Sequence, residues 1–440
     1  MKLNKKIIVI GCGHGGLRAA MLLAEANADV TVYEKSAIEN LSHDRTDCIE
    51  MKLFEDFDIN PGDGSYKGSP CSFLAPFSDE ALYIWSDEAK RDMTVERGNF
   101  VRGLIQDAEN SGVKFVFGTA VEDLIVSDLT VCGVIVNGEK IYCDLVIDAS
   151  GMMSPFRGRV PSICGLTASP NDDEVFSTYH ASYNFADDVP VPQGKNIWKL
   201  YLKFMGKLGI SWVNCEREND AAILIGMIGK LSNEDFEELF AELKRQNPII
   251  SDTLIRGGDF APISVRYPAS IFVSSGYACI GDSAFMTIPL LGSGIANAIR
   301  AGQMLGEEII NAKSCDVNAL WNYQRRYYKE IGAVSCIIDA LKRGLLAEPD
   351  SELKYLFESG IIKDEDVMFI FGGPSVKYDI ADILNRMKKL LHAYSAVGIM
   401  AKYIAKGILA AEICMLIPKK YDLVSVTRWA KRLDRCFGKK

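Results

Sequence analysis

The first sixteen residues constrain this chain more than any other stretch. Lys5, Lys6 and the apolar run Ile7-Ile8-Val9-Ile10 read as a buried parallel strand that runs straight into Gly11-Cys12-Gly13-His14-Gly15-Gly16, and a helical pattern covers Leu17 to Glu25. Gly11 allows the tight turn, Gly13 keeps a side chain out of the path of a diphosphate, and Gly16 lets helix and strand pack closely. The helix N-terminus then faces the negative charge. Asp29-Val30-Thr31-Val32-Tyr33-Glu34 follows as a strand ending in an acid, placed to accept hydrogen bonds from a ribose and set against a 2′-phosphate. A glycine turn alone would say little; with the strand, the helix and the acid it predicts a dinucleotide.

At 440 residues and 48% apolar, the chain can bury a full core, and its length favours two or three domains. The basic start is followed by an apolar run too short for a signal peptide. Twelve cysteines form no C-x-x-C pair and no cluster with zinc spacing, so no metal is expected and a reducing, cytoplasmic setting is. A net charge of -9 gives no encouragement to nucleic-acid binding, yet the C-terminal end is basic. Ala393 to Pro418 is apolar but carries Lys402, Lys406 and Glu412, which disfavours a membrane span. Lys388, Ser395, Lys402 and Lys406 share one helical stripe, with Lys419, Lys420, Arg428, Lys431, Arg432 and Arg435 beyond it. Two readings stay open: a peripheral helix on the cytoplasmic face of an anionic membrane, or an ordinary covering helix with a solvated tail.

Between these ends, a polar loop from Ser36 to Asp47 precedes an amphipathic helix over Cys48 to Phe54, and short strands are expected between Lys67 and Met93. Phe100 to Ile105 begins a helix and Val113 to Phe117 a strand. A meander with its turn at Asn137-Gly138 leads into the buried strand Asp144 to Asp148. Strands around Phe176–Phe185, Trp198–Phe204, Ile210–Cys215 and Ala222–Ile228, with a helix over Asn233–Gln246, predict an antiparallel sheet inserted into the first domain, which resumes at Tyr277. Helices cover Ile295 to Asn311, Leu320 to Leu346 and Ile380 to Leu416. The expected fold class is α/β: a Rossmann-like domain (1–160 and 272–312), an inserted sheet domain (161–271), with strands from 67–95 as candidates to join its sheet, and a helical region (313–440).

Four separated stretches resemble the flavoproteins of the aromatic-hydroxylase fold: the opening turn with Glu34; Val95-Glu96-Arg97 with Phe100; Asp148-Ala149-Ser150-Gly151 with Ser154 and Arg157; and Ile280-Gly281-Asp282 with Pro289-Leu290-Leu291-Gly292-Ser293-Gly294-Ile295. The resemblance implies FAD, held by Gly11, Gly13, Gly15, Gly16, Glu34, Lys35, Asp47, Cys48, Arg97, Val121, Asp148, Gly151, Gly281, Asp282, Pro289, Gly292, Gly294 and Ile295. Within that fold the chain is most similar to the geranylgeranyl reductases. Its last turn ends Gly-x-Gly-Ile and continues Ala296-Asn297-Ala298-Ile299-Arg300, and Cys48 stands where those reductases carry a cysteine facing the flavin. Their Y-x-W-x-F-P motif is reduced here to the tryptophan of Ile210-Ser211-Trp212-Val213-Asn214-Cys215, so a different pocket is expected around the substrate.

The resemblance implies hydride transfer from reduced FAD to an isolated double bond of an isoprenoid or lipid chain, with Cys48 as candidate proton donor and Trp212 as candidate substrate contact. Asp282 is expected at the ribityl chain or diphosphate, against the alternative of a plain helix cap. Phe185, Leu200 and Phe204 are further candidates for the channel, against ordinary core packing. His43 and Arg45 are candidates for a phosphate, and His14 is expected to point to solvent. The electron donor is NAD(P)H or a ferredoxin. Rival readings are an oxygen-using hydroxylase of the same fold, a dehydrogenase passing electrons to quinone, and a flavin protein without redox turnover.

Overall fold

The run Lys6–Ile10 is strand β1, its last four residues buried. The computed structural model describes residues 3–84, 91–167, 169–370 and 394–438. Helix α1 (His14–Glu25) starts three residues before Leu17, because Gly13 is its N-cap and accepts the Leu17 N–H at 3.0 Å. β2 (Asp29–Tyr33) pairs in parallel with β1, from Lys6 opposite Asp29 to Ile10 opposite Tyr33. Beyond it come β3 (Thr46–Ile49), α2 (Met51–Phe57), β4 (Tyr66–Lys67), β5 (Cys71–Leu74), β6 (Ala81–Ile84) and β7 (Met93–Glu96). The helix expected from Cys48 is therefore corrected. Asp47 and Cys48 pair with Val95 and Thr94 of β7, and this pairing overrides the local helical spacing.

Helix α3 (Arg97–Asn110) returns the chain to the first sheet through β8 (Lys114–Val116). The meander β9 (Val121–Ser127), β10 (Thr130–Val136) and β11 (Glu139–Tyr142) turns at Asn137-Gly138, where both residues have positive φ, as a two-residue hairpin requires. The buried strand β12 (Leu145–Asp148) then enters beside β1. The second sheet is built from β13 (Val175–Phe185), β14 (Trp198–Leu202), β15 (Ile210–Arg217) and β16 (Asp220–Ile228), followed by α4 (Asn233–Gln246) and β17 (Ile250–Ser264). Strands β18 (Val273–Ser274) and β19 (Tyr277–Cys279) complete the first sheet in the order β18-β19-β12-β1-β2-β8. The order of the second is β17-β13-β16-β15-β14-β5-β6, with β5 parallel to β14.

The C-terminal part is helical: α5 (Ile295–Ala312), α6 (Val317–Tyr327), a π-helical segment Tyr328–Gly332, α7 (Ala333–Ala347), α8 (Asp350–Glu358), α9 (Asp364–Ile370), α10 (Tyr394–Met415) and α11 (Leu423–Cys436). The helix expected over Ile380 to Leu416 lies partly outside the described residues, as does Lys388. Among the described residues no helix is long and apolar enough to cross a membrane. Helices α1 and α5 touch through backbone. A Cβ on Gly15 would stand 2.4 Å from the Ala298 carbonyl oxygen, and one on Gly302 would stand 2.3 Å from that of Gly15. Glycine at this crossing brings the N-terminus of α5 beside that of α1.

Strand alternation divides the second sheet. Trp198, Leu200, Ile210 and Leu224 pack towards the C-terminal helices, while Tyr201, Val213, Ile223 and Ile225 pack beneath α4. Phe185 and Phe204 lie with the α4 layer, so the expectation that they line a channel is corrected: strand parity places Phe185 there, and the turn after β14, where Lys203 takes φ +48, places Phe204.

Candidate functional site

Gly11, at φ +88, turns the chain at the end of β1. A Cβ on Gly13 would come 2.6 Å from the Ala149 carbonyl oxygen, and one on Gly16 would come 2.5 Å from the Ala149 Cβ. The turn is therefore glycine-rich because the Ala149–Gly151 loop lies directly on it. Glu34 secures the same turn: its Oε2 accepts the Cys12 N–H at 2.9 Å and its Oε1 the Ser36 N–H at 2.8 Å. Each oxygen keeps a lone pair for a ribose hydroxyl. Lys35 is exposed beside it, and Val121 opens β9 nearby.

Asp148 is fully buried and saturated by the protein itself. Its Oδ1 accepts from Ser150 N–H (3.0 Å) and Ser150 Oγ (2.6 Å), and its Oδ2 from Ser154 Oγ and from the Tyr277 hydroxyl (2.6 Å). The reading of Asp148 as a direct cofactor ligand is accordingly corrected to one of fixing the loop that carries Gly151. Pro289 likewise faces away from the large cavity described next and shapes the turn ahead of Gly292.

A cavity of about 900 Å³ runs from Gly13, His14 and Gly15 past Gly151, Gly281 and Asp282 to Gly292, Gly294 and Ile295, then under the second sheet. Gly294 is the N-cap of α5, and a Cβ there would press on Asp282 Oδ1 at 3.0 Å. Asp282 faces the cavity. Burial pushes its carboxyl up, while Arg97 and Arg45 pull it back.

The polar end of the cavity gathers Asp47, Arg97, Arg45, His14 and His180. Arg97 Nε lies 2.7 Å from Asp47 Oδ2, and Arg45 Nε lies 4.0 Å from Asp47 Oδ1. Burial works against the Asp47 carboxylate, but Arg97 and Arg45 outweigh it and hold its carboxyl below the usual range. Burial, reinforced by Arg97, pushes the Arg45 guanidinium down to about 10. His14 does not point to bulk solvent as expected. It stacks on Phe100 with ring centroids 5.7 Å apart, and burial followed by Arg97 pushes it down to about 3. His180, the residue the sequence reading passed over, is pushed down to about 3 by burial and then Arg45. Its only sequence signal was a titratable ring within the strand-like run Val175–Phe185, where Thr178 and Ser182 share its face.

The apolar end is a cross-strand row. Leu200 faces Trp212, Trp212 faces Leu224, and Leu224 faces His180 across four strands. Trp212 meets the His180 ring edge-on at 5.1 Å. Opposite the row stand Ile288, Leu291, Ile331 and Ile338, the last two brought in by the π-helical segment and α7. Cys48 lines the junction of the two ends, its thiol pushed well up by burial, then by Glu216 and Asp92. Asp92 lines the same wall, and burial together with Glu50 pushes it up to about 7.

These residues fit a flavin dinucleotide. Among the described residues the buried nitrogens His14 Nε2, Arg45 Nε and His180 Nε2 make no hydrogen bond, and two helix N-termini converge on one groove of suitable volume. Fold and site together define a flavin-dependent oxidoreductase of the aromatic-hydroxylase type.

Within that class the chain is similar to the geranylgeranyl reductases, as its motifs imply. The digeranylgeranylglycerophospholipid reductase of Sulfolobus acidocaldarius is 20% identical over 427 residues, covering 89% of this chain and 93% of the relative. That of Methanothrix thermoacetophila is 26% identical over 384 residues, covering 82% and 92%. A crystal structure of a geranylgeranyl bacteriochlorophyll reductase-like protein from Thermoplasma acidophilum superposes with a TM-score of 0.72 at 17% identity, covering 90% of this chain and 99% of that one. A flavin-dependent brominase shares the fold at a TM-score of 0.61 and 17% identity, covering 89% and 99%. No protein-family model matches the chain.

Proposed function

We propose that the protein saturates isolated double bonds of an isoprenoid chain. The observation that carries this reading is the continuity of the cavity, which joins the groove of glycine turns to an apolar compartment roofed by Leu200, Trp212 and Leu224. The names of the reductase relatives point the same way. When bound and reduced, FAD supplies a hydride to one alkene carbon. An unactivated alkene gains nothing from polarising groups, so this chain contributes placement and dryness: the apolar row aligns the substrate and excludes water. Cys48, kept protonated, stands ready to give a proton to the second carbon. His180, kept neutral, offers one donor and one acceptor where the polar and apolar ends meet. Ile210, Asn214 and Trp212 face the substrate in place of the family's aromatic motif.

The electron donor is NAD(P)H or a ferredoxin acting transiently. Anaerobic incubation of the reduced protein with a geranylgeranyl lipid is expected to yield products heavier by one H2 per double bond, read by mass spectrometry. An unchanged lipid beside oxygen-dependent turnover of an aromatic acid would favour the hydroxylase reading, which the brominase fold neighbour keeps in view.

The C-terminal helices support contact with an anionic membrane surface. Ile404, Ile408, Leu409, Met415 and Leu416 are exposed on or just after α10, and Lys419, Lys420 and Arg428 are exposed beside them. The protein is expected to float with phosphatidylglycerol vesicles at low salt and to be released at high salt. Equal recovery with and without vesicles would remove this part of the reading.

A further inference from the structure

Cys48 is joined to two residues that the alkene reading leaves unused. On β3 it sits opposite Thr94 of β7, and its Sγ lies 3.7 Å from Thr94 Oγ1. Thr94 is 1% exposed, and its hydroxyl donates to Glu216 Oε2 at 3.4 Å. Glu216, near the end of β15, is half-buried, and its other oxygen accepts the Ser69 N–H. A thiol lining the cavity is thus linked through one enclosed hydroxyl to a carboxyl with access to water.

We infer that Cys48, Thr94 and Glu216 form a proton relay that recharges the cavity thiol from solvent after each double bond is reduced. The inference rests on the proposed alkene reduction and deepens it. In the step, the Cys48 S–H bond breaks and its proton forms the new C–H bond at the carbon that does not receive the hydride. The thiolate then takes the Thr94 hydroxyl proton as Thr94 takes one from the Glu216 carboxyl in the same event, so that no alkoxide forms, and Glu216 regains its proton from the solvent's proton pool. The alkene gains one hydride and one proton, and the relay returns to its starting state. Thr94 and Glu216 act through Cys48 and do not touch the substrate.

The arrangement suits the direction of transfer. Burial and the charges of Glu216, Asp92 and Asp47 all oppose a thiolate at Cys48, with only the Thr94 hydroxyl favouring it, so a spent thiol draws a proton back through the hydroxyl beside it. Protons therefore run inward once the thiol has been spent. Tyr66 of β4 and Cys71 of β5 also face Cys48, and their own groups are pushed up by burial.

The test uses the full-length, flavin-loaded protein and two readouts. The first is the pH profile of Cys48 alkylation by iodoacetamide, followed on the Cys48 peptide by mass spectrometry. Thr94→Val is expected to move the profile to higher pH and Glu216→Gln to lower pH. The second is the rate at which a geranylgeranyl lipid reoxidises the reduced protein. It is expected to fall about a hundredfold in Thr94→Val and in Glu216→Gln, and to stay close to the unmodified rate in Thr94→Ser, which keeps the hydroxyl. Acetate is expected to restore part of the rate in Glu216→Ala. Alkylation profiles unmoved by both variants overturn the relay. So does a Thr94→Val protein that reoxidises at the unmodified rate, in which case the alkene reading survives. Absence of lipid-dependent reoxidation in the unmodified protein overturns both.

Discussion

Asp148→Ala is expected to cost about 3–5 kcal/mol of folding free energy, because it strips the shared acceptor from several buried donors at once. The Tyr277 hydroxyl and the Ser154 hydroxyl both point at Oδ2, and Ser150 closes on Oδ1 through its N–H and its hydroxyl. Asp148 and Tyr277 are each fully buried, so water cannot replace what is lost without opening the sheet between β12 and β19. The damage should also reach the cofactor groove, since Ala149 lies against Gly11, Gly13 and Gly16. Asp148→Asn keeps the shape but turns an amide NH2 towards groups that are themselves donors, so it should recover only part of the loss. Urea unfolding with a parallel measurement of retained flavin checks this. A variant within 1 kcal/mol of the parent (~1 kcal/mol being the worth of a single ordinary hydrogen bond) that keeps its flavin would show that the network is dispensable.

The second large effect concerns the apolar compartment. Ala222 lines the cavity from β16, between its partners Asn214 and Ser182. Ala222→Trp would send an indole into open space beside Trp198 and Trp212, where there is room for it without forcing the sheet apart. Flavin content and stability should therefore stay near those of the parent. Turnover of a long isoprenoid should fall by about a hundredfold or more, since the chain can no longer lie in register with the flavin. Full turnover in this variant would mean that substrate approaches by another route.

The centre of the first sheet was legible in the sequence because β1 and β12 are apolar runs buried on both faces and β1 ends at a glycine turn. Ile7 to Ile10, Leu145 to Asp148 and the strands from Phe176 to Ile228 were each marked by unbroken or alternating apolar runs. Strand β17 was not, because Gly257, Gly258 and Pro262 interrupt it, although it pairs with β13 along nearly its whole length. The two glycines take positive φ and make a bulge, which is a tertiary feature. Cys48 read as the start of a helix, and Asp47 as the end of the loop before it, because local spacing cannot show that β7 lies alongside them. Phe185 and Phe204 were credible pocket residues from sequence, but strand parity places Phe185 under α4 and the turn after β14 carries Phe204 there.

The site followed the same division. Glycines fixed by a turn or a close approach leave a motif: Gly13 and Gly15 meet backbone, Gly292 takes φ +72, and Gly294 meets the Asp282 carboxylate, and all four stand out in the sequence. His180, Asp92 and Ile331 leave none: they reach the cavity through pairing on β13, through the approach to β7, and through the π-helical segment, respectively. Their convergence follows from how distant segments meet.

The proposed reaction needs one cavity to hold a flavin at its polar end and an alkene at its apolar end. Rapid mixing of the photoreduced protein with a geranylgeranyl lipid in the absence of oxygen, followed by flavin absorbance, tests it most directly. The oxidised flavin band is expected to return at a rate set by lipid concentration, and a fully saturated lipid is expected to leave the protein reduced. Protein that carries no flavin after incubation with excess FAD, or that reoxidises equally with the saturated lipid, would contradict it.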